Sequence, residues 1–119
     1  MGSILILAVA LAAASPSPGE QPPLGGNDVT FRVVSGDNRF YPETAQRREI
    51  EGAATAVCVI GADGRLSDCQ VLSEAPEGYN FGGATLKLMA ALKIASKAKD
   101  GSPTAGRRFR FDMKFKLPR

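Results

Sequence analysis

The sequence predicts an α+β domain: a three-stranded antiparallel sheet, in strand order second–first–third, with a main helix and a short N-terminal helix on one face. Three stretches predict it. Asp63-Gly64 stands between an apolar run, Ala53 to Ile60, and a second run carrying Leu66, Cys69 and Val71. Such a pair is a strong hairpin signal, because Gly accepts the positive φ these turns require. Phe81 to Lys93 (FGGATLKLMAALK) sets Phe81, Thr85, Met89 and Leu92 at 4-4-3 spacing, flanked by Leu86 and Leu88, so one helical face can pack on a sheet. Arg107 to Leu117 (RRFRFDMKFKL) alternates Phe109, Phe111, Met113, Phe115 and Leu117 with Arg108, Arg110, Asp112, Lys114 and Lys116. That alternation gives one face to the core and the other to water.

Counting directions sets the topology. If the first strand runs up, the second runs down, the helix returns, and the last strand runs down. In an all-antiparallel sheet the last strand then lies beside the first. The first strand is apolar on both faces apart from Thr55, which suits a central position. The last strand is left as an edge whose basic residues discourage unwanted pairing.

In chain order, residues 1–14 (MGSILILAVALAAA) hold an unbroken apolar run from Ile4. Eleven residues is too short for a bilayer, which needs about 20, and suits the apolar region of a signal peptide. Ala12-Ala13-Ala14 offers a cleavage site before Ser15. No basic residue precedes Ile4, which leaves open an upstream start or an atypical signal. Residues 15–27 (SPSPGEQPPLGGN) read as a Pro/Gly/Ser linker that cannot bury a core and is expected to be disordered or PPII-like, and residues 28–119 as the folded domain. Val29 to Val34 suggests a short strand or extended arm, and Asp37 to Phe40 a turn. Tyr41-Pro42 opens a short helix over Glu43 to Arg48, where Pro suits the first turn and Glu43 its positive end. Gly52 releases the chain into the first strand. Ser73 to Tyr79 is expected as a loop, and Lys97 to Gly106 as a polar connection.

The hairpin brings the two cysteines together. With Asp63 and Gly64 as a two-residue loop, facing positions sum to 127, as do Cys58 and Cys69. Facing Cα atoms lie within the reach of a disulfide. A three-residue loop, Ala62-Asp63-Gly64, moves the register by one. The broken alternation at Leu66, Cys69 and Val71 then calls for a bulge near Ser67-Asp68 that restores the facing pair. Two buried free thiols are the competing reading.

Composition narrows the function classes. The chain has no His, which removes Ser-His and Cys-His catalysis and His-containing metal sites. The cysteine spacing fits neither a zinc site nor a C-x-x-C redox motif. Glu49 and Glu51 read as solvated, and Gly82-Gly83 at a helix start lacks the fingerprint of a phosphate loop. No enzyme, cofactor or metal is therefore expected. The net charge of +3 is uneven. From Lys87 onward ten Lys and Arg face only Asp100 and Asp112, whereas the preceding residues carry five against ten acids. Nucleic-acid binding would need Phe109 and Phe111 free to stack on bases, and the fold assigns them to the core.

In order and spacing, Tyr41-Pro42-x-x-Ala45, Ile50-Glu51-Gly52, Asp63-Gly64, Ser73-x-x-Pro76, Phe81-x-x-Ala84-x-Leu86 and Asp100-Gly101-x-Pro103 before an alternating strand resemble the TonB C-terminal domain family. The resemblance covers Tyr41 to Leu117. The Cys58/Cys69 pair, followed by Gly78-Tyr79-x-Phe81-Gly82, looks like the cysteine-containing branch of that family. The resemblance implies a periplasmic energy-transducer module that couples an inner-membrane motor to outer-membrane receptors. It implies binding by strand addition, a receptor's N-terminal peptide pairing with the last strand near Tyr-Pro. Carried to this sequence, the partner site is Asn38, Arg39, Tyr41, Pro42 and Arg107 through Leu117. The expected partner is an outer-membrane receptor or another periplasmic protein segment, with a homodimer also possible. Membrane contact is expected only where the N-terminal segment is retained, which gives an anchored alternative to the exported form. Two departures stand out: the apolar run and linker are short for a full transducer, and Leu92-Lys93-Ile94 replaces the family's usual aromatic near the helix end. A secreted structural or binding protein of other specificity, without energy coupling, is therefore the second reading.

Overall fold

The computed structural model describes residues 17–33 and 40–117. The apolar segment and its cleavage site lie outside the described residues, as do Val34, Asn38, Arg39 and most of the turn expected at 37–40. Strands β1 (Phe31–Val33), β2 (Gly52–Ile60), β3 (Leu66–Ala75), β4 (Leu92–Ile94) and β5 (Arg108–Phe115) and helices α1 (Glu43–Arg47) and α2 (Phe81–Ala90) follow in the order β1-α1-β2-β3-α2-β4-β5. The main sheet is antiparallel in the order β3-β2-β5. The apolar first strand is therefore central and the basic last strand is an edge, as direction counting required.

Burial follows the strand period. Ala54, Ala56, Cys58 and Ile60 of β2 are buried beneath α2, while Phe109 and Phe115 do the same from β5. Two clusters share this layer. One gathers Ile60, Leu88, Met89, Leu92, Ile94 and Phe109; the other gathers Ala45, Ala54, Phe81, Ala84 and Phe115.

The hairpin takes the three-residue alternative. The Gly61 amide donates to Arg65 O (2.8 Å) and the Gly64 amide to Gly61 O (3.0 Å), with Gly64 at φ +85°. Pairs Ile60–Leu66 and Val59–Ser67 follow the shifted register, and Val57–Gln70 returns to the original one. The extra residue falls beside Asp68, which sits at φ +50°. The bulge expected near Ser67-Asp68 thus restores the facing pair, and Cys58 and Cys69 form a disulfide.

Three expectations are corrected, and the polar connection is given its detail. β3 continues through Ser73, Glu74 and Ala75, paired with Thr55, Ala54 and Ala53. Pairing resumes there after a second irregularity at Leu72, so the loop at 73–79 is shorter than expected. The main helix stops at Ala90, and Leu92–Ile94 is a strand paired with Phe31–Val33. Leu92 and Ile94 are buried around an exposed Lys93, a period-two pattern that three residues were too few to announce. The connection at 97–106 is less open than its polarity implied: Ala98 and Thr104 are buried, and Thr104 Oγ1 donates to Ala95 O (2.7 Å). Finally, residues 17–27 are not an unstructured linker. Pro18–Glu20 forms a 3₁₀ turn, and Leu24 enters the core beside Phe109.

Gly52 sits where nothing larger fits. A Cβ there would lie 2.5 Å from Ala75 O and closer still to the ring of Phe81. The ring is buried against Tyr41, Tyr79 and Phe115, and the backbone carbonyl is held in the sheet, so neither gives way cheaply. Gly52→Ala is expected to lower stability by about 1–3 kcal/mol, as overpacking does. Urea unfolding measures it; an unchanged midpoint would mean that β2 and β3 separate there at little cost.

Candidate functional site

The site is built on the outer edge of β5. In an antiparallel ladder, successive residues point their N–H and C=O groups alternately toward and away from the neighbouring strand. Two bonds fix the phase here. Ile60 N donates inward to Arg107 O (2.9 Å), and Arg110 N donates outward to Leu24 O (2.8 Å). The groups of Phe109, Phe111, Met113 and Phe115 therefore face β2. Those of Arg108, Arg110, Asp112 and Lys114 face away. Side chains follow the same alternation: Phe109 and Phe115 are buried, and Arg110, Asp112 and Lys114 are exposed.

The outward groups divide into two halves. Leu24 N donates to Arg108 O (2.8 Å), so the first half is occupied by the chain's own N-terminal segment. From Asp112 onward, no backbone partner for the outward groups occurs among the described residues. This second half opens onto a groove of about 450 Å³ lined by Phe40, Tyr41, Gln46 and residues 113–116. Tyr41 is fixed as its wall. Its hydroxyl donates to Ile50 O, and its ring meets Phe115 and Phe81 edge-on at 5.5 Å and 6.0 Å. Beyond β5 the Leu117 amide continues the inward phase, donating to Glu51 Oε2 (2.8 Å).

The fold thus brings Tyr41 together with Met113, Lys114, Phe115 and Lys116. Pro42 is not among them: it caps α1 and lines the neighbouring cleft with Tyr79 and Lys87. Arg107 and Arg108 are turned to the N-terminal segment, donating to Pro22 O (3.0 Å) and Gln21 O (2.9 Å). Arg110 meets Asp112 across 3.6 Å of exposed surface, and Asp112 accepts a bond from Thr55 Oγ1 (2.7 Å). Sequence reasoning missed Phe40 and Gln46, for which no signal existed beyond proximity to Tyr41. It also missed Leu24, the lone bulky apolar residue of its segment.

The groups that the stacking and phosphate-loop readings would need are engaged elsewhere. Phe109 is buried and Phe111 packs against Phe31 (5.9 Å) and Phe109, so these rings do not form an open stacking platform. At the start of α2, the Gly82 amide is taken by Glu74 Oε2 (3.0 Å), a carboxylate well placed at a helix's positive end. Among the described residues no cluster of three or more His, Cys, Asp or Glu can hold a metal, and no helix is long and apolar enough to cross a membrane. Two carboxyls lie below their ordinary range, both through local hydrogen bonds. Ser102 holds Asp100 down with its hydroxyl and amide, and Ser17 holds Glu20 with its amide and hydroxyl.

These features define a small disulfide-bonded α+β domain that presents a half-open edge strand beside a tyrosine-walled groove. Residues 37–117 match the family described as Gram-negative bacterial TonB protein C-terminal, and the chain belongs to that family. It is 40% identical over 50 residues to Protein TonB of Pseudomonas aeruginosa, a match covering 42% of this chain and 15% of that protein. The aligned stretch is therefore a small part of that relative's length. The solution NMR structure of the Pseudomonas aeruginosa TonB CTD superposes with a TM-score of 0.60 at 28% identity, covering 80% of this chain and 94% of that one.

Proposed function

We propose that this domain is a periplasmic TonB-type interaction module, without catalytic activity of its own, that binds an extended segment of an outer-membrane receptor by strand addition. The segment pairs with the outward groups of Asp112 and Lys114 and lays its side chains in the groove walled by Tyr41. One observation carries this reading: those backbone groups lack backbone partners among the described residues and border that groove. Family membership supports the partner class and a role in energy-dependent transport. In strand addition, main-chain hydrogen bonds provide affinity and side-chain pockets provide choice.

Proline tests it directly. At an outward position proline removes a donor that the fold does not use, whereas at Phe111 or Met113 it would break the ladder. Lys114→Pro is expected to stay folded and to weaken binding of synthetic receptor N-terminal peptides by roughly tenfold, the equivalent of one main-chain hydrogen bond. Lys114→Ala removes the same charge while keeping the N–H, and is expected to bind within a factor of about three, as loss of one exposed charge allows. Titration followed by calorimetry separates them. Equal binding by a folded Lys114→Pro and the unaltered protein would refute strand addition at this edge.

A further inference from the structure

The N-terminal segment already does to half of β5 what the proposed partner does to the other half. Leu24 is 7% exposed and makes a parallel bridge to Phe109. Its amide and carbonyl bond the outward groups of Arg108 and Arg110, each at 2.8 Å. The side chains of Arg107 and Arg108 donate to the segment's carbonyls, at Pro22 and Gln21 respectively. The attachment is nevertheless narrow. Pro22 and Pro23 have no N–H to extend a ladder, and Gly25 and Gly26 bring no side chain. By contrast, eight register pairs join β5 to β2. The segment is secured at its other end, where the Gly25 amide donates to Asp28 Oδ2 (2.8 Å) and the Lys99 amide to Asp28 O (2.9 Å).

We propose that residues Gln21 to Gly25 form a displaceable clasp, hinged at Asp28, which occupies the Arg108–Arg110 half of the binding edge. With the clasp closed, a partner strand reaches only the Asp112–Lys116 half. With it open, the whole edge is presented, together with the apolar site that Leu24 vacates. The ligand class for that half is an extended peptide carrying one aliphatic side chain in the Leu24 position. The functional consequence rests on the strand-addition reading above; the clasp itself does not.

Amide hydrogen exchange by NMR on the full chain tests it. Leu24 and Arg110 amides depend on the clasp, whereas Phe109 and Phe111 amides face β2. Local opening exchanges amides independently of global unfolding. Leu24 and Arg110 are therefore expected to exchange together, at least about tenfold faster than Phe109 and Phe111. Exchange of all four at one rate would make the segment an integral strand and overturn the proposal. In Leu24→Ser the Arg110 amide is expected to lose its protection while Phe111 keeps it. A synthetic peptide of residues 20–28 should then restore Arg110 protection in the variant and leave the unaltered protein unmoved. Failure to restore it would overturn the clasp as a strand-acceptor site, and if the variant does not fold, the exchange rates of the unaltered protein decide. Receptor peptides should bind the variant roughly tenfold tighter, one lost competitor contact; equal binding would refute competition. If they bind neither protein, strand addition fails while the exchange and self-peptide results still judge the clasp.

Discussion

Phe81→Ala is expected to destabilise the domain by about 3–5 kcal/mol, the range for truncating a buried aromatic. Phe81 is fully buried, and its ring lies 4.9 Å from Phe115, 6.0 Å from Tyr41 and 6.4 Å from Tyr79. It also roofs Gly52, the position where β2 allows no Cβ. One residue therefore joins α2, the start of β2, the end of β5 and the Tyr41 segment. A domain of this size has only about 5–15 kcal/mol of stability in total, so the loss approaches the threshold of folding. Phe81→Leu keeps most of the volume and is expected to cost less than about 1.5 kcal/mol by packing, plus a smaller loss of ring contacts. Urea midpoints at unchanged slope separate the two variants. A cost below about 1 kcal/mol for Phe81→Ala would mean that the site collapses readily, and that the second core cluster does not depend on this ring.

How much of this was legible depends on how each residue signals its neighbours. The sheet order followed from direction counting because β2 is apolar on both faces and β5 alternates over its whole length. The alternation of β5 is long enough to exclude a helix, whereas the apolar run of β2 reads as a strand through its β-branched residues and the Asp63-Gly64 turn that follows. The facing cysteines were legible up to a choice of loop, and the bulge at Asp68 was foreseeable from the displaced alternation of Cys69 and Val71. β4 was not legible. Leu92 satisfies the helical spacing from Met89 as well as the strand spacing to Ile94, and the outcome depended on Phe31–Val33, a partner far away in sequence. The clasp was hidden for a different reason. In Pro22-Pro23-Leu24-Gly25-Gly26, composition correctly reports a segment that cannot build a core. It says nothing of one leucine entering a core built by other residues. The groove was half legible: Tyr41 and β5 came from the family resemblance, whereas Pro42 faces another cleft, and Asn38 and Arg39 lie outside the described residues.

Opening the Cys58–Cys69 disulfide is expected to cost about 3 kcal/mol, the chain-entropy value for a loop of eleven residues' separation. Register gives a reason for the cross-link at this position. A buried face normally fixes register, because a one-residue slip turns every side chain over. β2 has such a face, but β3 does not: Val71 is 37% and Leu72 51% exposed, and Ser67, Asp68, Gln70 and Ser73 are exposed too. Two irregularities, near Asp68 and Leu72, already interrupt its pairing. β3 is therefore held in phase by the turn at Gly64, by Glu74 on the Gly82 amide, and by the disulfide between them. Reduction keeps both sulfurs and tests the cross-link alone. Cys58→Ala with Cys69→Ala also removes the buried sulfur 3.7 Å from Met89 Sδ and is expected to cost more, within the roughly 2–5 kcal/mol seen for native disulfides of small domains. Urea unfolding with and without reductant measures the first, and amide exchange gives the mechanism. After reduction, β3 amides should lose protection well before those of β5, whose ladder with β2 is continuous. Equal loss on both strands would show that the disulfide acts on the unfolded chain only and that β3 keeps its register without it.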